Sequence, residues 1–480
     1  MNFARDVVDA APADAVALVE LGRDGSRREW TFAEVSRASA CLAGRLRSEG
    51  VAAGDVVMTL VGNRSEWALA LVACFRIGAV ALPCTEQLRA ADLETRLDLV
   101  GPKVVIADER NLGELNRTRA RERATVIVTP DPSIYAADPA RAVELDPEAP
   151  ALIVFTSGTT GRPKAAVHPQ RYLAGQELMA RAWLGAKRGD VVWCTASSGW
   201  SKSARNAFVA PWLRGAAGVL HDARFDPAER LDVLARERVN VLCMSPTEYR
   251  LVARRVPIRA PASLRRLVAA GEALDAETLE LWREATGLAI LDGYGQTETA
   301  HLTAPPGPGE TRPGSMGRPL PGVRMWIDDG ELVVDPASVP TFFTGYLGEP
   351  PASRSQPWRT GDRVRRDDDG YLYFQSRTDD VIVSSGYRIG PFEVESVLQS
   401  HPAVAEAAVV GMPDPDRGEI VRAVVVPAAG YAPSPELGRE LQEHVKRLTA
   451  PYKHPRLVEF AAELPRTASG KLRRAELRRR

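Results

Sequence analysis

Between Ala151 and Leu291 short apolar runs, ALIVF, VVWC, NVLCM and LAILD, alternate with stretches of helical spacing such as Leu231, Leu234, Ala235 and Val239. Strands alternating with amphipathic helices predict a parallel sheet of α/β type. Earlier in the chain, a helix-spaced stretch from Phe32 to Leu46, the run DVVMTLV and a second helical stretch ending at Ile77 repeat the alternation. Both parts are therefore expected to share one large α/β region.

The pattern changes at Pro305–Pro321, PPGPGETRPGSMGRPLP, whose Pro and Gly content predicts an ordered loop or a boundary. Short strand-like runs follow. Beyond Arg377–Asp380 the spacing predicts a helix near Phe392–Gln399, strands at VAEAAVVG and IVRAVVVP, and a helix with Leu437, Leu441, Val445 and Leu448 on one face. That is a small α+β domain of roughly 100 residues. No internal repeat or low-complexity tract appears, and the basic end RRAELRRR reads as a solvated tail.

Composition narrows the function classes. The 480 residues suffice for two or three domains and a sizeable core. The 62 Lys and Arg balance 62 Asp and Glu, so whole-chain charge recommends neither nucleic acid nor an anionic membrane. Five scattered cysteines without a C-x-x-C pair fit neither a disulfide framework nor a zinc site, and suit a reducing cytoplasm. The start lacks a charged segment followed by an apolar core, and the longest apolar stretch, Trp67 to Cys84, is interrupted by Arg76, so neither export nor a membrane span is expected.

The stretch VFTSGTTGRPKAA, Val154 to Ala166, puts two Gly and four hydroxyl side chains directly after an apolar run. Such a loop can aim several N–H and O–H groups at one anion, which predicts a phosphate cradle rather than a bare turn. The spacing is not that of a Walker loop, because Pro163 precedes Lys164 and Ala165 follows it; no G-x-G-x-x-G, H-E-x-x-H or G-x-S-x-G occurs either. His168, just after the loop, reads as structural or solvated.

Taken together, TSGTTGRPK (Thr156–Lys164), DGYGQTET (Asp292–Thr299), WRTGD (Trp358–Asp362), SRTDDVIVSSGYRIGPFEVE (Ser376–Glu395) and PRTASGK (Pro465–Lys471) resemble the adenylate-forming superfamily of acyl-CoA synthetases, adenylation domains and luciferases. The stretch TASSGWSKSARNAFVAPWLRGA and the unbroken segment from Asp380 to Glu419 are similar to its medium-chain acyl-CoA synthetase branch. The resemblance implies a large N-terminal domain (1–377) holding the ATP and acyl sites and a small, mobile α+β C-terminal domain (378–480). It also implies the chemistry: a carboxylate attacks the α-phosphate of ATP to give an acyl-adenylate and pyrophosphate, and CoA then takes the acyl group as a thioester.

By the same resemblance Thr156, Ser157, Gly158, Thr159, Thr160, Gly161 and Lys164 would cradle the β- and γ-phosphates, and Lys471 would bridge the carboxylate and the α-phosphate during adenylation. Glu298 would hold Mg²⁺ with Thr160 nearby, and Thr297 would contact the α-phosphate. Gly271, Glu272 and Ala273 would border adenine, with Asp292, Gly293, Tyr294 and Gln296 in the nucleotide site; Asp362 would take both ribose hydroxyls, and Arg377 and Arg388 would contact the nucleotide. Asp379 stands where the family places its hinge. Ser385, Gly386 and Tyr387 would line the pantetheine tunnel, and Arg417 would meet a CoA phosphate.

Gly295 stands where acetate-only members carry a Trp, so the acyl pocket is expected to admit acids larger than acetate, medium-chain, branched or aromatic, with Trp200, Ala204 and Phe208 as its apolar wall. Ser376, Ala273 and Ala300 depart from the usual Gly, Pro and Gly of the pattern. The reading is an acid:CoA ligase using ATP, Mg²⁺ and coenzyme A. An adenylating enzyme that serves a carrier protein or an amine shares the first half-reaction, and a non-catalytic nucleotide-binding protein is the remote third. Expected partners are a small carboxylic acid and CoA or a carrier, without nucleic acid or membrane, and a homodimer is the assembly considered.

Overall fold

The alternation read from the sequence is divided between two seven-stranded sheets. The first has the spatial order Ile290–Gly293, Arg266–Ala270, Val241–Met244, Val191–Cys194, Ala217–His221, Val16–Leu21 and Arg27–Thr31. Its neighbours run parallel except for the last pair, an antiparallel edge. The second has the order Gly345–Tyr346, Lys164–Pro169, Pro150–Thr156, Val80–Cys84, Val56–Leu60, Val104–Asp108 and Thr125–Thr129. The ALIVF run thus joins the early strands instead of the VVWC sheet, and its successor turns straight back antiparallel, with Thr156 opposite Lys164. The structure, a computed structural model, describes residues 1–480 except 157–162, 272, 273, 275, 379, 385, 386, 415, 416, 450–452, 467–471 and 480, and only the backbone of 308, 383, 387, 388 and 418.

Local signals fix the helices. Thr31 and Glu34 form a capping box that starts Phe32–Ser48, while the helix Ser65–Ile77, buried at every position, ends on the left-handed Gly78. Asp226 caps Pro227–Arg236, so Val239 lies past that helix and is buried beside it. Large aromatics anchor the core: Trp282 is fully buried and its indole N–H donates 3.0 Å to the Tyr249 carbonyl. No helix among the described residues is long and apolar enough to cross a membrane.

Packing divides the chain into two compact units, one of residues 1–324 with 335–357 and one of residues 325–334 with 358–480. The Pro and Gly stretch 305–321 is a loop of the larger unit, tied down where Arg318–Pro319 pairs with Thr303–Ala304. The expected boundary at 377/378 differs from this division. A four-stranded sheet of Met325–Asp328, Glu331–Val334, Trp358–Arg366 and Leu372–Arg377 packs with the C-terminal segment, where Phe374 lies edge-on to Phe392 at 6.0 Å.

Within the smaller unit a five-stranded sheet carries the helices Pro391–Gln399 and Pro435–Leu448. Leu437, Leu441 and Val445 are buried as expected, but Leu448, the last residue of its helix, is 56% exposed. The basic end is not a solvated tail. Arg474–Arg479 is helical, Leu477 is buried with Ala408 and Val410, and Arg474 and Arg478 pair with Glu395 and Asp380, each at 2.6 Å. An acid on the helix Pro391–Gln399, a second in the turn before Ile382, and a leucine packed against the sheet hold a segment that charge alone would leave in water.

Candidate active site

The predicted residues of the larger unit cluster at the carboxyl ends of its parallel strands, where open α/β sheets bind ligands. Gly271 follows Arg266–Ala270, Gly293 ends Ile290–Gly293, and the loop bearing Trp200 follows Val191–Cys194. Gly199 lets that loop lie on the backbone of Cys84 and Thr85, which a Cβ would strike, and Ser198 donates 2.5 Å to the Val61 carbonyl. Thr156 and Lys164 face each other at the base of the predicted phosphate loop. Residues Ser157, Gly158, Thr159, Thr160 and Gly161 of that loop lie outside the described residues.

The DGYGQTET motif forms a tight hairpin. Gly295–Gln296 pairs with Ala300–His301, leaving Thr297, Glu298 and Thr299 as the loop. Gly295 is required by close approach, because a Cβ there would collide with the Ala300 carbonyl. The missing side chain therefore has a backbone cause beside any effect on the acyl pocket. Ala300 closes the turn at φ +57°, the left-handed region where Gly is at ease and Ala is strained. The Thr299 hydroxyl accepts from the Gln296 N–H, and the Thr299 and Glu298 carbonyls accept from the Thr341 hydroxyl at 2.5 Å and the Phe343 N–H at 2.8 Å.

A chain of contacts links this loop to the phosphate-loop strand. Tyr346 donates 2.6 Å to the Glu298 carboxylate, Lys164 lies 4.5 Å over the Tyr346 ring, and the same ammonium pairs with Glu349 at 3.0 Å. Lys164 and Glu349 are both more than a third exposed, so their pairing is weak and an incoming phosphate can displace it. Tyr346 escaped the sequence reading; its signal was FTGYLG, whose Gly345–Tyr346 pairs with Val167 and Ala166 beside the loop. Lys202 was also missed. Its ammonium donates 3.3 Å to the Ala270 carbonyl, and its charge opposes the burial that pushes the Asp292 carboxyl well up; the Gly293 N–H bond to Asp292, 2.9 Å, does the same.

Trp200 is half-buried and Ala204 buried beside it in sequence. Phe208 is enclosed, edge-on to Trp67 at 5.2 Å and against Trp212 at 5.0 Å, so it is a core residue that supports the segment. His168 is structural, as read: it is fully buried against Tyr172, and burial, reinforced by Arg205, pushes it down to about 3.

In the smaller unit Asp362 and Arg377 sit opposite each other on neighbouring strands, and the guanidinium donates 2.9 Å to the carboxylate and 2.9 Å to the Thr360 carbonyl. Tyr387 and Arg388 lie on a strand paired with Ile382–Ser384, and Arg417 is exposed in the turn of the long hairpin, its N–H bonded to Asp414. Glu272, Ala273, Asp379, Ser385, Gly386 and Lys471 lie outside the described residues. Among the described residues no group of three His, Cys, Asp or Glu side chains could hold a metal ion. A single carboxylate, Glu298, linked through Tyr346 to Lys164, is a donor set that Mg²⁺ accepts when phosphates and water complete its shell.

The profile of the AMP-binding enzyme family matches residues 4–347, and that of the AMP-binding enzyme C-terminal domain matches residues 393–471. The mitochondrial acyl-coenzyme A synthetase ACSM3 of Rattus norvegicus is 38% identical over 100% of this chain and 90% of its own length. The uncharacterized acyl-CoA ligase YtcI of Bacillus subtilis is 37% identical over 98% of this chain and 94% of its own. Among solved structures, a benzoate CoA ligase from Burkholderia xenovorans LB400 superposes with a TM-score of 0.88 at 28% identity, covering 100% of both chains.

Proposed function

The chain belongs to the AMP-binding enzyme family, and from that premise we propose how its residues activate an acid. It is an AMP-forming acyl-CoA synthetase, an ATP-dependent ligase that makes an acyl-adenylate and then a CoA thioester, acting on medium-chain or aromatic carboxylic acids. The observation that carries the assignment of roles is the contact chain Glu298, Tyr346, Lys164, which ties the hairpin loop to the phosphate-loop strand at one sheet end.

A carboxylate is a poor acyl donor because oxide would have to leave; bonding its oxygen to the α-phosphate makes AMP the leaving group and releases pyrophosphate. The reaction gathers negative charge, so the site needs fixed donors and cations. Lys164 moves from Glu349 to the β- and γ-phosphates beside the hydroxyls of residues 156–160. Thr297 and Lys471 meet the α-phosphate, and Lys471 also holds the attacking carboxylate. Glu298, oriented by Tyr346, would hold Mg²⁺, which when bound offsets phosphate charge. Asp362, aligned by Arg377, accepts both ribose hydroxyls. Rotation at Asp379 then replaces Lys471 by Ser385, Gly386 and Tyr387 for thiol attack by CoA, with Arg417 on a CoA phosphate. Action in the cytoplasm, as a homodimer, completes the reading; the five cysteines are free and buried, as a reducing compartment leaves them.

Pyrophosphate release with ATP and Mg²⁺, across acids from acetate to octanoate and benzoate, with and without CoA, tests the reading. Acyl-CoA from acids larger than acetate is expected, and Lys471→Ala is expected to cut adenylation at least 100-fold while thioester formation from supplied acyl-adenylate persists. Adenylate that never passes to CoA would instead indicate a carrier or amine acceptor, and equal loss of both steps would refute the division of labour.

A further inference from the structure

Four arginines are buried among the described residues. Arg76, Arg230 and Arg422 pair with Asp9, Glu248 and Glu459 at 2.6, 3.1 and 2.5 Å. Arg205, 8% exposed at the start of the short helical segment Arg205–Val209, makes no ion pair among the described residues, and its Nε and Nη1 have no hydrogen-bond partner. A buried guanidinium without a counter-charge is costly unless something completes it.

Its surroundings are unmatched too. Both ring nitrogens of His168, the Asn206 amide oxygen and His301 Nε2 are buried and lack partners among the described residues. Native interiors leave few such atoms, so a concentration of them around one cation marks a place shaped for a ligand. His168 lies against Tyr172 at 4.2 Å, and the charge of Arg205 is felt at both and at His301. Burial keeps both imidazoles neutral, so Arg205 supplies the positive charge, with N–H and O–H donors beside it. His301 stands opposite Gly295 across the hairpin, and Arg205 follows Ala204 on the segment that carries Trp200. The cluster therefore borders the acyl side of the site.

We propose that Arg205 receives a second carboxylate of the substrate, so that the preferred acids are dicarboxylic, held at the far end by Arg205 while the near carboxylate is activated. The proposal rests on the ligase reading above. A planar guanidinium suits a carboxylate through two parallel N–H bonds, and Tyr172 and the single N–H of neutral His168 can donate to its remaining lone pairs.

The test compares acids of equal length, hexanoate with adipate, octanoate with suberate and 4-methylbenzoate with terephthalate, in wild type, Arg205→Met and Arg205→Lys. Pyrophosphate release with ATP, Mg²⁺ and CoA and melting with acid alone are both measured. In wild type, kcat/KM for at least one diacid should exceed that for its monoacid 10-fold or more. Arg205→Met should lower that ratio at least 100-fold while monoacid turnover is kept or raised, and Arg205→Lys should recover part of it. The diacid should raise the melting temperature of wild type and leave that of Arg205→Met unmoved. Monoacids preferred by wild type, with a ratio that Arg205→Met leaves within twofold, would overturn the proposal. Diacid stabilisation that depends on Arg205, without pyrophosphate release from any acid, would uphold the carboxylate site and remove the ligase reading; monoacid turnover indifferent to Arg205, without diacid stabilisation, would do the reverse.

Discussion

Two arginines of this chain are handled in opposite ways. In the smaller unit, Arg377 is locked to Asp362 and to a backbone carbonyl of the facing strand, so its charge is answered before any nucleotide arrives. In the larger unit, Arg205 is more deeply buried and has no answering carboxylate among the described residues. On the roles proposed above, the first arrangement would align a carboxylate for a neutral diol, and the second would keep a cation for an anion brought by the substrate.

The pair is most directly broken by Asp362→Asn, which removes the anionic acceptor and strands Arg377. Pyrophosphate release at subsaturating ATP should fall at least 100-fold, and the smaller unit should lose about 2 kcal/mol in urea unfolding, less than a fully buried pair because Arg377 is partly exposed. Unchanged ATP dependence would dissolve the contrast.

A pH series sharpens the other side. The folded His168 is pushed down to about 3 by burial and by Arg205, whereas an unfolded histidine titrates near 6.5. Below pH 6.5 the unfolded chain takes up the proton first, so stability is full above that pH and falls as pH drops toward 3, by about 2 kcal/mol at pH 5. Unfolding of His168→Leu at pH 7 and pH 5 should show a pH dependence smaller by that amount, and Arg205→Met should show part of the same flattening. No change in either variant would remove Arg205 from the histidine's surroundings. The smallest effect is Ala300→Gly, expected to stabilise the protein by up to about 1 kcal/mol through relief of the left-handed backbone, with thermal melting as the measure.

The fold was legible where pattern and caps coincide: the helices Phe32–Ser48 and Ser65–Ile77 and the paired strands after Ala403 appear where spacing placed them. The split into two sheets was not, because an apolar run such as ALIVF does not say which neighbours it takes. The basic terminus was misread for a related reason, since its partners Glu395 and Asp380 are remote in sequence. Motif spacing singled out Glu298, Asp362 and Arg377 as candidates, but Tyr346 and Lys202 join them only through contacts that folding creates. Arg205 carries no motif signal at all; what sets it apart is the lack of an ion-pair partner among the described residues.

The tight hairpin at Gly295 also limits how acid selectivity can change. With the Ala300 carbonyl occupying the space a Cβ would need, an indole cannot be installed there by one substitution without reshaping the turn. Narrowing this enzyme toward acetate is thus a compound event, in which backbone geometry must move before side-chain volume can be selected. Redesign of its acid range is more accessible from the Trp200 and Arg205 side, where a side chain can be exchanged on an existing backbone.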